Sequence, residues 1–231
     1  MNFHDLLRKV ATMTLDEFKS QIEKLPTQIW GLKYLPTARS FMSDEDEIPR
    51  VYESETGYHI MNVTSEVSDC NRGVMWDILK SFDYNMNAIM EIGVNRNDVK
   101  SLSQILIHGK PDSCKYLGVD LDDKSFLNNH EKNVFTLQSN SHDQTRVRNY
   151  LKEIGIDKLD ILFIDGWHSI TTTVNDWEYA DLLSEKGVVV IHDTNYHPGD
   201  VAIIDAIDEN LFDVKKYCLD NDFGIAVARR K

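Results

Sequence analysis

Residues 159–195 read LDILFIDGWHSITTTVNDWEYADLLSEKGVVVIHDTN. Two apolar runs, Ile161 to Ile164 and Val188 to Ile191, each end at an aspartate, Asp165 and Asp193, and His168 follows the first. Runs of this length rich in β-branched residues read as buried strands, and Thr172 to Ser184 between them reads as a crossover helix. Neighbouring parallel strands lie about 4.8 Å apart. Both carboxylates then meet at one edge of the sheet, the carboxyl edge at which open α/β sheets bind ligands.

Outward from this stretch the alternation continues. Strands are predicted at Ala88 to Ile92, Tyr116 to Val119 and Val134 to Leu137, with helices at Val99 to His108 and Asp143 to Ile154. The second of these helices carries the stripe Val147, Tyr150, Leu151 and Ile154 and is stopped by Gly155. Such an order predicts a doubly wound, mostly parallel, Rossmann-like sheet with right-handed crossovers. Leu211 to Cys218 and Phe223 to Ala228 flank the turn signal Asp220-Asn221-Asp222 and predict a C-terminal antiparallel hairpin. Before about residue 85 the pattern is irregular. A capping box at Thr14 to Glu17 predicts a helix with Leu15, Phe18, Ile22 and Leu25 on one face, Ser43 to Glu47 reads as an acidic loop ahead of Pro49, and Asn71 to Phe82 reads as a further helix. The expected organisation is therefore a helical extension over 1–85, serving as a lid or a homo-oligomerisation arm, and a ligand-binding domain over 86–231.

The chain has 231 residues, 42% of them hydrophobic, and a formal net charge of −13. It is long enough to bury a sizeable core. Its charge disfavours a nucleic-acid partner, since phosphate binding needs a basic footprint and the only tight basic run is Arg229-Arg230-Lys231, expected to end a strand in solvent. No apolar stretch of about 18 residues suggests a membrane span or signal peptide, so a cytoplasmic protein is expected. Cys70, Cys114 and Cys218 are odd in number and far apart, and are expected to be buried free thiols.

At the turn out of the first core strand, Glu91-Ile92-Gly93-Val94-Asn95-Arg96-Asn97 puts a glycine after an acidic residue and ahead of a helix N-terminus. Glycine there lets the backbone approach a ligand. Asp120 ends the next strand, where an acid accepts hydrogen bonds from ribose hydroxyls. Together these describe an adenosine-type site, and the missing second and third glycines argue against a nicotinamide dinucleotide.

In their order, the Glu91–Gly93 turn, Asp120, Phe163-Ile164-Asp165-Gly166 and Gly187 to Asp193 resemble class I S-adenosylmethionine-dependent methyltransferases. The likeness is strongest to metal-dependent small-molecule O-methyltransferases, including those acting on sugars of macrolides and glycans, and it covers about Ala88 to Lys231. It implies that the turn at Glu91 and Gly93, with Asn97, holds the methionine part of S-adenosylmethionine. It implies further that Asp120 holds the ribose, that Asn140 with Ser141 lies near adenine, and that Asp165 and Asp193 hold a divalent metal, magnesium or manganese, with Asp165 beside the cofactor as well. His168 matches the general base, a histidine in the sugar enzymes and a lysine in catechol-type ones. The third metal ligand departs from the pattern: His192 stands where the sugar enzymes have glutamate, and Thr194 where catechol-type enzymes have asparagine, leaving His192, Asn195 or water to fill the place.

The chemistry fits these residue types. Methyl transfer from a sulfonium to a hydroxyl is an in-line displacement that needs fixed geometry and a nucleophilic oxygen. Hard carboxylate oxygens suit a divalent cation, and histidine titrates near neutral pH. The expected function is methylation of a hydroxyl on a sugar, glycan or other small-molecule acceptor. The alternatives are a catechol-like phenol as acceptor, or a scaffold that binds a nucleoside without chemistry.

Overall fold

The computed structural model describes residues 19–38, 67–83, 85–94, 101–195, 197–218 and 222–231. The capping box at Thr14 to Glu17, the acidic segment Ser43 to Glu47 with Pro49, Asn97 and the Asp220-Asn221 turn lie outside them.

Nine strands and five α-helices are described. A short hairpin, β1 (Ile22–Leu25) and β2 (Leu35–Ala38), precedes helix α1 (Asp69–Lys80). There follow β3 (Ala88–Ile92), α2 (Leu102–Gly109), β4 (Lys115–Asp120), β5 (Val134–Gln138), α3 (Gln144–Glu153), β6 (Leu159–Ile164), α4 (Ile170–Trp177), β7 (Leu183–His192), α5 (Pro198–Ala206), β8 (Phe212–Tyr217) and β9 (Ile225–Arg230). The main sheet has the order β5-β4-β3-β6-β7-β9-β8, in which β9 alone runs against the others. From β3 the chain winds outward through β4 and β5, then returns to the other side of β3 as β6. The strand order reverses there, so a crevice opens at the carboxyl ends of β3 and β6.

Period-two alternation divides the core. Ile89, Tyr116, Ile161, Phe163, Val188 and Val190 face α1 and α2, where Met75, Ile78, Leu79, Leu102 and Leu106 meet them. Met90, Leu117, Leu162, Ile164, Val189 and Ile191 face α3, α4 and α5, covered by Val147, Leu151, Ile170, Trp177 and Ile203. Helix starts are fixed by side-chain caps: Ser68, Ser101, Asp143 and Ser169 each accept from a backbone N–H three residues on.

Several expectations change. Ile22 and Leu25 are strand residues, because β1 pairs with β2; their i, i+3 spacing suits a helix face, and the tertiary pairing overrides it. The hairpin's neighbourhood is built into the sheet domain: Trp177 Nε1 donates to the Trp30 carbonyl at 2.9 Å, and Trp30 meets Phe212 edge to face at 5.3 Å. The helix expected to reach Ser184 ends at Trp177, continues as a 3-10 turn to Leu182, and gives way to β7 where Leu183 pairs with Leu159. Pro198 takes the first turn of α5, where its missing N–H costs nothing. The terminal basic run ends the last strand, β9, as expected, and is anchored there, since Arg230 donates to the Leu183 carbonyl at 3.0 Å and covers Trp30.

Cys70 and Cys218 are not free thiols: they form a disulfide with Cα atoms 5.8 Å apart, closing 148 residues of chain. Sequence distance hid this pair, because only the folded sheet brings the start of α1 over the turn between β8 and β9. Cys114 is a buried free thiol as expected, pushed up to about 12 by burial. Among the described residues no helix is long and apolar enough to cross a membrane.

Glu91 lies beneath the sheet's central turn. It is buried, accepts from Ser103 and Tyr116, and is raised from 4.5 to about 8 by burial, which these two hydrogen bonds only partly offset. An acid with a raised folded-state pKa contributes stability that is complete below its unfolded value and lost as pH climbs through the folded one. Wild-type protein should therefore lose unfolding free energy between pH 5 and pH 8, by at most about 5 kcal/mol at ~1.4 kcal/mol per pKa unit. In Glu91→Gln that slope should flatten, as read from urea unfolding at the two pH values; equal slopes would refute the buried neutral acid.

Candidate functional site

The crevice is a cavity of about 640 Å³. Its walls are the ends of four strands: Gly93 and Val94 after β3, Asp120 to Asp122 after β4, Ser139 to His142 after β5, and Asp165 to His168 after β6. His192, Asp193, His197 and Phe223 close the remaining side.

On the cofactor side, Gly93 has φ +83°, and a Cβ there would stand 2.1 Å from the Asp165 carbonyl oxygen. The β3 and β6 loops touch at this point, so no larger residue fits. Asp120 accepts from the Val94 N–H at 2.7 Å and the Asp122 N–H at 2.8 Å, which aims its carboxylate along the rim. The Asn140 side chain accepts from His142 N, and the Ser141 carbonyl accepts from the Tyr179 hydroxyl at 2.5 Å. Gly93, Asp120, Asn140 and Ser141 thus line one cavity, whereas Glu91 supports the turn from below without lining it.

On the other side four predicted residues converge. Asp193 follows the last residue of β7 with φ +58°, a left-handed conformation that aspartate tolerates better than most. This turn sets one oxygen, Oδ1, 3.2 Å from His192 Nδ1 and the other, Oδ2, 2.9 Å from His168 Nε2. His192 Nδ1 also lies 3.0 Å from Asp165 Oδ1. Burial opposes charging both histidines, but the carboxylates outweigh it: Asp193 and Asp165 hold His192 well above its usual range, and Asp200 and Asp193 do the same for His168. Asp193 itself, against its burial, is held well below the usual carboxylate range by His192 and His168.

Three contacts were not foreseen. Asp200, in the first turn of α5 and 1% exposed, takes the second nitrogen of His168, with Nδ1 to Oδ2 at 2.9 Å. Gly199 makes this possible, because a Cβ there would stand 2.4 Å from the Ser169 carbonyl oxygen. His197 lies with its ring centroid 4.3 Å from that of His168, and its Nε2 is 4.0 Å from Asp193 Oδ2. Asn71 of α1 reaches the other nitrogen of His192, Nδ2 to Nε2 at 2.6 Å. The sequence carried one sign of this last contact: Asn71 sits on the helix stripe shared with Met75, Ile78 and Leu79, an apolar position holding an amide.

Among the described residues, two groups of three have the donor chemistry for a metal ion, with all ligand atoms of each group within 4.8 Å of one another: Asp165, His192 and Asp193, and His168, Asp193 and His197. The first joins two hard carboxylates to an imidazole, and its imidazole is backed by Asn71, whose buried Oδ1 has no hydrogen-bond partner among the described residues. Asn195 is turned away from both groups, its amide donating to the carbonyls of Cys218 and Asp222 at 3.0 and 2.9 Å. Asp176, fully buried behind Gly166, is raised to about 7 by burial, partly opposed by Ser141.

No protein-family model and no curated protein sequence matches the chain. Solved structures do. A candidate caffeoyl-CoA O-methyltransferase from Staphylococcus aureus superposes with a TM-score of 0.52 at 18% identity, over 72% of this chain and 87% of that one. The MycE methyltransferase of the mycinamycin biosynthetic pathway, solved with Mg and SAH, superposes with a TM-score of 0.50 at 16% identity, over 68% of this chain and 49% of that one. The chain thus spans about half the length of MycE. These likenesses, with the strand order and the antiparallel β9, establish that the chain has the class I methyltransferase fold.

Proposed function

We propose that the protein is an S-adenosylmethionine-dependent O-methyltransferase acting on a hydroxyl of a sugar, glycan or similar small molecule, with a divalent metal and His168 as general base. The observation that carries this reading is the position of His168. It stands on the wall of the cavity formed by Gly93 and Asp120, is gripped on Nδ1 by the buried Asp200, and faces the Asp165–His192–Asp193 donor group through Nε2.

Each residue has a role that its surroundings suit. Gly93 leaves backbone room for the amino-acid part of the cofactor, and Asp120 offers carboxylate oxygen to ribose hydroxyls. Asn140 and Ser141 supply polar contacts at the adenine end. Asp165, Asp193 and His192 are the proposed metal ligands, an oxygen-rich set with one nitrogen that suits manganese and magnesium. When bound, S-adenosylmethionine supplies the methyl group and the cation draws electron density from the acceptor hydroxyl. Once Asp193 is committed as a ligand, His168 retains Asp200 on Nδ1, the tautomer that leaves Nε2 as the basic atom. A histidine in this place, rather than lysine, favours a sugar acceptor over a phenol. Trp167, 56% exposed at the rim, is placed to cover the acceptor.

The direct test is calorimetric titration of S-adenosylmethionine followed by turnover with manganese or magnesium on paired sugar and catechol acceptors. His168→Ala should keep cofactor binding while losing about 100-fold or more in turnover, the usual contribution of a general base; unchanged turnover would reject the base. Gly93→Ala, forced to place a methyl on the Asp165 carbonyl, should weaken cofactor binding at least about tenfold, equivalent to ~1.4 kcal/mol; undiminished affinity would move the cofactor elsewhere. Turnover on the catechol alone would replace the sugar reading by the phenol one, and cofactor binding with no turnover on any acceptor would favour a scaffold.

A further inference from the structure

We infer that Asn71 is a positioning residue for His192, and that the Cys70–Cys218 disulfide is the clamp that keeps it in place; this rests on the metal-assisted reading of the Asp165–His192–Asp193 group. The two ring nitrogens of His192 face different partners. Nδ1 lies 3.0 Å from Asp165 Oδ1 and 3.2 Å from Asp193 Oδ1, while Nε2 meets the Asn71 amide at 2.6 Å. A histidine that ligates through Nδ1 must carry its proton on Nε2, and that proton needs an acceptor. With Nδ2 toward the ring, Asn71 leaves Oδ1 buried and without a partner among the described residues. A half-turn of the amide brings that oxygen onto Nε2–H, satisfying it and fixing the tautomer that ligates.

The neighbouring covalent bond makes this contact dependable. Asn71 is the third residue of α1, next to Cys70. Its N–H is held by the cap Ser68 at 3.1 Å; Met75, Ile78 and Leu79 farther along α1 pack on the sheet, and among the described residues Arg229 donates to the C-cap Ser81, so the far end of α1 is held by packing and the Asn71 end by the disulfide. The disulfide ties Cys70 to Cys218, and the Cys218 carbonyl accepts from Asn195, two residues beyond Asp193. Asn71, Cys70, Cys218, Asn195 and Asp193 therefore form a connected frame around His192. Cys70 lies exposed, within reach of thiols in solution. Oxidised chain thus presents a preset third ligand, and reduced chain does not, so that metal affinity follows the redox state of the surroundings.

Pulsed paramagnetic resonance of manganese(II) titrated into metal-free full-length protein tests this, since a directly bound imidazole modulates the signal with a nitrogen-14 coupling. Wild type should bind with that coupling. Asn71→Leu should weaken binding about 10- to 100-fold, the usual cost of losing a partner behind a ligand, and lose the coupling, while Asn71→Asp, which keeps an acceptor, should restore it. Asn71→Ala removes the amide without adding bulk and serves where leucine is not accommodated. Cys70→Ser with Cys218→Ser keeps Asn71 in the chain but releases α1 from Cys218, and should weaken manganese binding with loss of the nitrogen coupling; unchanged affinity there overturns the clamp. Nitrogen coupling and affinity unchanged on removal of the amide overturn the positioning role alone, with the metal site intact. Absence of manganese binding in wild type removes the metal-assisted reading together with this inference.

Discussion

Asp193 is shared by two histidines, one on each oxygen, and the geometry of the whole crevice depends on that arrangement. A carboxylate can face two ways only where its backbone is turned to aim it. The left-handed φ of +58° just after β7 does this, at the end of a strand buried between β6 and β9. Removing the second histidine would leave one oxygen of a nearly buried carboxylate unpaired, which costs more than the pair contributes. The members of the cluster therefore support one another. Asp165 and Asn71 fix His192, Asp200 fixes His168, and Asp193 links the two halves.

The supporting shell comes from parts of the chain remote in sequence. Asp200 is delivered by the first turn of α5, whose glycine allows the helix to lie against the His168 backbone. Asn71 is delivered by α1, a helix outside the strand and helix alternation, and is fastened by a disulfide across 148 residues. The described segments before residue 85 thus contribute Val67 to the wall of the site, Asn71 to the support behind His192 and, through Trp30, part of the core beneath α4. Such support matters because a ligand or base displaced by about 1 Å loses much of its effect.

How much of this was legible follows from how local each signal is. The strand Ala88–Ile92 was read with its observed ends, because four apolar residues and one glutamate bounded by Asn87 and Gly93 form a run of strand length. Asp165, His192 and Asp193 could be brought together from sequence since each stands at a strand end, with His168 in the loop just after Asp165, and parallel strands stack their ends. Gly93 was read as leaving room for a ligand, and its approach to the Asp165 carbonyl appeared only in the structure. What could not be read needed tertiary contact. Ile22 and Leu25 have a helical spacing and lie on opposite faces of a strand, so the strand is not legible until Leu35–Ala38 pairs with them. His197-Pro198-Gly199 carries loop signals, and only burial of Asp200 makes it a helix start. Cys70 and Cys218, with no spacing motif, are joined by topology alone. Asn71 was visible solely as an amide on an apolar stripe.

The claim on which the rest turns is that Asp165, His192 and Asp193, rather than His168, Asp193 and His197, form the metal site. Both groups share Asp193 and both have suitable donors. They differ in consequence, because a cation on the second group would occupy the base. Anomalous diffraction from crystals grown with manganese separates them directly. The account predicts one peak about 2 Å from Asp165, Asp193 and His192 Nδ1, with His168 free on Nε2. A peak held by His168 and His197, or no peak with manganese present, would contradict it.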